Sequence, residues 1–192
     1  MTIINFNLMA STFKYGEDDA REELLDLLAL FGDYQPESQS IDINGIVIAH
    51  TNLDLFQVLD SLRHLIKKEP WQIRYIHRVI PIESVVNTKL DELANAAKKL
   101  TPKMQSQDTF RITVERRHTL LSPADIIATL GSQIDNKVNL KKPDWIVLVE
   151  IIGALAGISI LKPDQIFSSV IEKRNTGNND SDFDDDNNIK LL

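Results

Sequence analysis

No cysteine occurs among the 192 residues. That excludes disulfides, thiol nucleophiles and cysteine-held metal, and it is compatible with a reducing cytoplasm. No apolar run approaches the ~20 residues that a membrane helix needs. The first residues go directly into a strand-like pattern, without a basic stretch or a cleavage site, so no secretory leader is expected. The phosphate loop G-x-x-x-x-G-K-S, the dinucleotide fingerprint G-x-G-x-x-G and the serine elbow are all missing. His50, His64, His77 and His118 have no metal-ligand spacing with one another or with carboxylates. No internal repeat is present. These absences point away from catalysis and from a bound cofactor, and toward a cytoplasmic binding protein.

What is present is an uneven distribution of charge. The net charge of -7 divides sharply along the chain. Residues 1–66 carry 3 basic and 11 acidic groups, net -8. Residues 67–142 carry 14 and 8, net +6. Residues 143–174 carry 3 and 4, and residues 175–192 carry 1 and 5. A basic island therefore lies between acidic flanks. Screening at physiological salt limits electrostatic reach to ~8 Å, so a polyanion feels the island rather than the mean.

Ile3, Ile4, Phe6 and Leu8 open a strand. Ala20, Leu24, Leu27, Leu28 and Phe31 fall at helical spacing, with Glu17, Asp18 and Asp19 at the start and Gly32 past the end, which suits the helix dipole and a left-handed cap. Asn44-Gly45 between two apolar runs signals a hairpin. Leu55, Leu59, Leu62 and Ile66 mark a second helix, and Trp71 to Val79 reads as a strand. Strand, helix, strand, strand, helix, strand is the split βαβ, ferredoxin-like order, placed at residues 1–82. A second unit is expected over 83–172. It begins with a helix through Val85, Val86, Leu90, Leu93, Ala97 and Leu100, followed by a strand from Thr109 to Glu115. Ser122-Pro123 then caps another helix. Trp145 to Ile152 and Ile158 to Leu161, nearly continuous apolar runs, suit strands buried on both faces of a mixed sheet, with Gly153 and Gly157 at the turn between them. The fold class is α/β of the α+β kind. The polar, acidic segment 173–192 is expected to be a disordered tail.

The candidate binding residues are cations on the connections of the second unit. Arg116, Arg117 and His118 follow a strand that also carries Arg111, and Lys137, Lys141 and Lys142 precede the next strand. Guanidinium groups fork onto phosphate oxygens, and the helix N-terminus near Pro123 adds backbone donors. Arg74 and Arg78, four apart on the expected strand, extend this surface from the first unit. The competing readings are a solvated edge that blocks mispairing, and, for Arg74 and Arg78, ion pairs with the acidic helix at Glu22 or Asp26.

The run from Phe110 to Leu161 resembles the THUMP domain, a small α/β RNA-binding module of tRNA thiolation, methylation and acetylation proteins. The likeness rests on the strand ending in Arg116-Arg117-His118, the helix opening at Ser122, Lys137-Val138-Asn139-Leu140, Pro143-Asp144-Trp145 to Ile152, and Gly157-Ile158-Ser159-Ile160. Glu69-Pro70-Trp71 and Arg78 to Ile82 resemble the ferredoxin-like domain that precedes it, so the resemblance covers residues 1–172. It is nearest to stand-alone, archaeal-type proteins that assist tRNA cytidine acetylation. It implies binding to the acceptor end of tRNA, a separate acetyltransferase as partner, no catalytic residue, no metal, and no DNA or membrane. A small RNA-modifying enzyme and a scaffold docking through its acidic segments are the alternatives.

Overall fold

Leu8 and Ala10 leave the first strand on one side and Met9 on the other, and all three are buried. A strand buried on both faces needs two apolar layers around it. The structure, a computed structural model, describes residues 5–180, with side chains over 5–175. Its first unit comprises β1 (Leu8–Ser11), α1 (Glu17–Leu30), β2 (Glu37–Ser40), β3 (Ile46–His50), α2 (Leu55–Lys68) and β4 (Arg78–Pro81). The strands lie antiparallel in the order β4-β1-β3-β2, the ferredoxin-like arrangement. The second unit comprises β5 (Ser84–Asn87), α3 (Leu90–Leu100), β6 (Thr109–Arg117), α4 (Pro123–Gly131), β7 (Lys137–Val138), β8 (Trp145–Ile152) and β9 (Leu155–Leu161). Its sheet is mixed, in the order β5-β9-β8-β6-β7, with β6 parallel to both β7 and β8. The chain then returns to the first unit. β10 (Phe167–Ser168) pairs with β4, and α5 (Ser169–Asp180) follows it.

The two sheets stack face to face between outer helices. Leu8, Ala10, Val47, Val79 and Phe167 pack outward against α1 and α2. Met9, Ile46, Ile48 and Ile80 pack inward against Ile146, Leu148 and Leu161 of the second sheet. Val147, Val149, Ile158 and Ile160 face α3 and α4 on the far side. Alternation along single strands thus builds three apolar cores and four layers.

Several expectations need correction. Trp71 to Arg74 is not strand. Pro70–Gln72 is a 3-10 turn and β4 begins only at Arg78. The Glu23 carboxylate accepts the backbone N–H groups of Arg74, Tyr75 and Ile76, donors that a ladder would otherwise use. Val85 and Val86 lie in β5, paired with β9, not in the helix. Glu92 accepts from the Asn87 N–H and side-chain amide, which ends the strand and leads into α3. Gly157 lies inside β9, not in the turn. A Cβ there would sit 2.9 Å from Ile82 Cδ1, so any side chain at this position forces Ile82 or the strand to shift. The expected tail mostly lies outside the described residues, and its described part, residues 173–180, continues α5.

Candidate nucleic-acid interface

Alternation along β6 sends Phe110, Ile112 and Val114 toward the helices, where they pack into the outer core. Arg111, Thr113, Glu115 and Arg117 take the opposite face. By register they stand beside Ile146, Leu148, Glu150 and Ile152 of β8. The apolar core between the sheets draws on β8, β9 and the neighbouring β5, and takes nothing from β6. The inner face of β6 is therefore a polar ledge at the margin of the seam between the two units.

Arg111 marks one end of the ledge. With Lys141, Lys142, Pro143, Ile146 and Pro163 it lines a cavity of about 330 Å³. Its Nε is buried and has no hydrogen-bond partner among the described residues. The loop bearing the lysines is fixed at both ends. Asn139 N–H donates to the Phe110 carbonyl, and its side-chain oxygen accepts the N–H groups of Lys141 and Lys142. The Thr109 hydroxyl and N–H donate to the Asp144 carboxylate at 2.6 and 2.8 Å and hold its carboxyl below the usual range. Three cations thus converge on a preformed space with apolar walls. A phosphate fits the donors, and a base or sugar fits the prolines and Ile146. Lys137, exposed, pairs with Thr109 at this same end but does not line the cavity.

Arg116, Arg117 and His118 lie elsewhere, and the single cationic pocket expected from the sequence divides in two. Arg117 stands six positions beyond Arg111 on the same strand, about 20 Å away. Arg117 is not free: its Nη1 donates to Glu150 Oε2 at 2.8 Å. Glu150 is 1% exposed, and its Oε1 is buried with no hydrogen-bond partner among the described residues. Burial pushes the Glu150 carboxyl above the ordinary carboxylate range, and nearby Glu115 adds to this. Arg117 and Arg78 oppose the shift without cancelling it. Arg116 is exposed and turns to the helix side of the sheet. His118, at φ +54°, lines a separate cavity of about 610 Å³ with Thr88, Lys89, Leu120 and Gly153.

The residues of the first unit separate as well. Arg78 shares the inner face with Ile80 and acts electrostatically on Glu150, so it belongs to the seam. Arg74 stands in an acidic cleft, with its Nε bonded to the Trp71 carbonyl. Its neighbours there include Glu22 and Asp26, so the acidic-helix alternative describes its surroundings better than a basic surface does. The sequence reading named Asn139 and Pro143 only within the family pattern and missed Pro163; the roles of all three come from loop geometry. It also missed Glu150, although one acid inside Trp145–Ile152 is itself a sign of a buried charge needing a partner.

The comparisons agree with this architecture. Residues 87–161 match the family model of the THUMP domain. Human THUMP domain-containing protein 1 is 31% identical over 117 residues, covering 55% of this chain and 33% of that protein. An uncharacterised Methanocaldococcus jannaschii protein is 28% identical over 137 residues, covering 68% of this chain and 35% of its own length. The chain thus spans about a third of the length of these relatives. Among solved structures, PH1313 from Pyrococcus horikoshii superposes with a TM-score of 0.61 at 18% identity, covering 82% of this chain and 55% of that one. A 4-thiouridine synthetase solved with RNA and ATP superposes with a TM-score of 0.50 at 16% identity, covering 82% and 42%. The fold is therefore shared with these two solved structures, and residues 87–161 match the THUMP domain model.

Proposed function

We propose that this chain binds the acceptor end of tRNA and, without chemistry of its own, presents the RNA to a separate tRNA cytidine acetyltransferase. The observation that carries the binding step is the cavity at the start of β6. There Arg111, with its Nε unpaired, meets Lys141 and Lys142 beside Pro143, Pro163 and Ile146. An unpaired RNA end offers phosphate to the cations and an unstacked base to the apolar walls, whereas a duplex keeps its bases stacked. The ledge of β6 gives the strand a path along the seam. The neighbouring structure solved with RNA supports a nucleic-acid role for this fold, and the sequence resemblance supports the adaptor reading over a catalytic one.

Replacing Arg111, Lys141 and Lys142 by Ala tests the binding step. Each phosphate contact on a single strand contributes ~0.7 to the slope of log K against log salt, so the triple variant should lose roughly 2 from that slope. An unchanged slope refutes the site. The adaptor step is tested by mixing chain, acetyltransferase, tRNA, acetyl-CoA and ATP, and measuring N4-acetylcytidine by mass spectrometry. Equal acetylation with and without the chain refutes it, as does modification by the chain alone.

A further inference from the structure

The outer face of the first unit holds a groove of opposite character. Asp19, Glu22, Asp26 and Leu30 recur along one stripe of α1 at helical spacing. They face Trp71 and Tyr75 across a cavity of about 400 Å³. Leu30 and Gln72 also line a second cavity, of about 480 Å³, which reaches Asp60, Leu65 and Glu69 near the end of α2. The two spaces share Leu30 and Gln72 and together make one trough that runs along α1 from Asp19 in its first turn to Leu30 in its last. Its apolar floor is open: Leu30 is 62% and Trp71 60% exposed. Phe13 continues the aromatic surface from Tyr75, with ring centroids 6.0 Å apart.

Three features fit this trough to a cation-bearing guest. Carboxylates outnumber the bases Arg74 and Lys68 along its walls. The last turn of α1 has no basic residue, so the negative end of the helix dipole adds to the same field. The shape is also set in advance, because the Glu23 carboxylate ties the N–H groups of Arg74, Tyr75 and Ile76 to α1 and holds the two walls at fixed separation. Exposed Trp and Leu at the centre with charge at the rim is the composition of a protein-binding patch. A polyanion is repelled from it.

We propose that this trough is a docking site for a cationic amphipathic segment of a partner protein, whose lysines and arginines lie along Asp19, Glu22 and Asp26 and whose aliphatic or aromatic anchor enters between Leu30 and Trp71. It goes beyond the RNA-binding reading and places the protein contact on the outer helical face, away from the cationic cavity. The two can therefore fail separately.

The test uses a short fluorescein-labelled peptide with lysine and arginine on one helical face and leucine on the other. Controls replace its bases by glutamate or its leucines by serine. Amide shift mapping should confine the response to residues 19–30, 60–75 and their neighbours. Trp71→Ala, and separately Glu22→Lys with Asp26→Lys, should each weaken binding on the order of tenfold or more, the scale of an anchor truncation. Both variants should keep the circular dichroism spectrum and tRNA affinity of the parent. The proposal is overturned if the parent does not bind the peptide, if either control binds as well, or if the shifts map elsewhere. Self-association lost in both variants would assign the trough to a second copy of this chain and equally overturn it. Loss of tRNA binding in the Arg111 variants, with peptide binding intact, leaves this proposal standing.

Discussion

Removing Arg117 should damage the protein far more than neutralising its partner. Glu150 is 1% exposed, and Arg117 is 28% exposed in its side chain. The pair is therefore lopsided. Taking away Arg117, as in Arg117→Met, strands a carboxylate that already has one unsatisfied oxygen. The cost of an orphaned buried charge is about 3 kcal/mol, at the lower end of the usual range because the site lies at the margin of the seam. Taking away the charge instead, as in Glu150→Gln, leaves a guanidinium that can turn to solvent, at a cost of about 1 kcal/mol. For a chain of this size that is roughly 6–12 °C against 2–4 °C in melting temperature. The pH dependence has a definite sign. The folded-state pKa of Glu150 is raised above the ordinary 4.5, so the native state binds the extra proton. Stability linked to this group is fully present below that value and is lost as pH rises through the folded pKa. Without Arg117 the folded pKa rises further, so the penalty of Arg117→Met should be small below the folded pKa of Glu150 and grow as pH rises through it. Thermal melts of both variants from acid to neutral pH decide the matter. Equal losses, or a pH-independent Arg117→Met penalty, would refute the account.

Other perturbations probe separate parts of the molecule. Asp33 is 4% exposed and accepts from the Thr51 hydroxyl and from the N–H groups of Gln35 and Asn52. Asp33→Ala should cost about 2 kcal/mol in urea denaturation. Burial alone would raise its pKa, but these donors outweigh burial and lower it. Its contribution is therefore present above the ordinary 3.8 and lost as pH falls through the folded pKa. Gly157→Ala should cost about 1–3 kcal/mol through the clash with Ile82, and Ile82→Ala should remove most of that increment in a double-mutant cycle. Additive losses would disprove the contact. Single alanine replacements at Arg111 and Arg116 should differ in tRNA titrations, with Arg111→Ala the weaker binder. The reverse order would move the RNA site to the other end of β6.

Much of the fold was legible because its signals are local. Glu17 to Leu30 formed the expected helix, closed by Gly32 at φ +103°. The order of elements in the first unit and the buried runs at β8 and β9 were equally readable. What failed depended on partners distant in sequence. Nothing in Trp71 to Ile76 announces that Glu23 will take three of its donors. The divided cation cluster has a deeper cause. Arg116-Arg117-His118 and Lys141-Lys142 are separated by one helix and look adjacent along the chain. β6 and β8 are parallel, so the crossover through α4 must carry the chain back to the start of the sheet before β8 begins. Residues that end β6 and residues that precede β8 are therefore at opposite ends by topology. A parallel assignment drawn from the apolar run at Trp145–Ile152 contained that answer.

Arg111 and Arg117 lie on the same face of the same strand, yet the fold gives them opposite roles. The difference is where acid is placed on the neighbouring strand. Beside Arg111 the register supplies Ile146, which has no acceptor, and the guanidinium keeps its donors for a guest. Near Arg117 it supplies Glu150, whose burial is tolerable only with a cation against it, so that arginine is committed to holding the seam. Arg78 approaches the same carboxylate from the other sheet, which makes the charge cluster a device for fixing the two units relative to each other. Under the proposed function, a ledge fastened at one end and open at the other is a rigid wall for an RNA strand with one place to grip it. Rigidity of the seam and affinity for the RNA end are then coupled: loosening the Glu150 cluster should weaken tRNA binding in a filter-binding titration even though none of its members lines the cationic cavity.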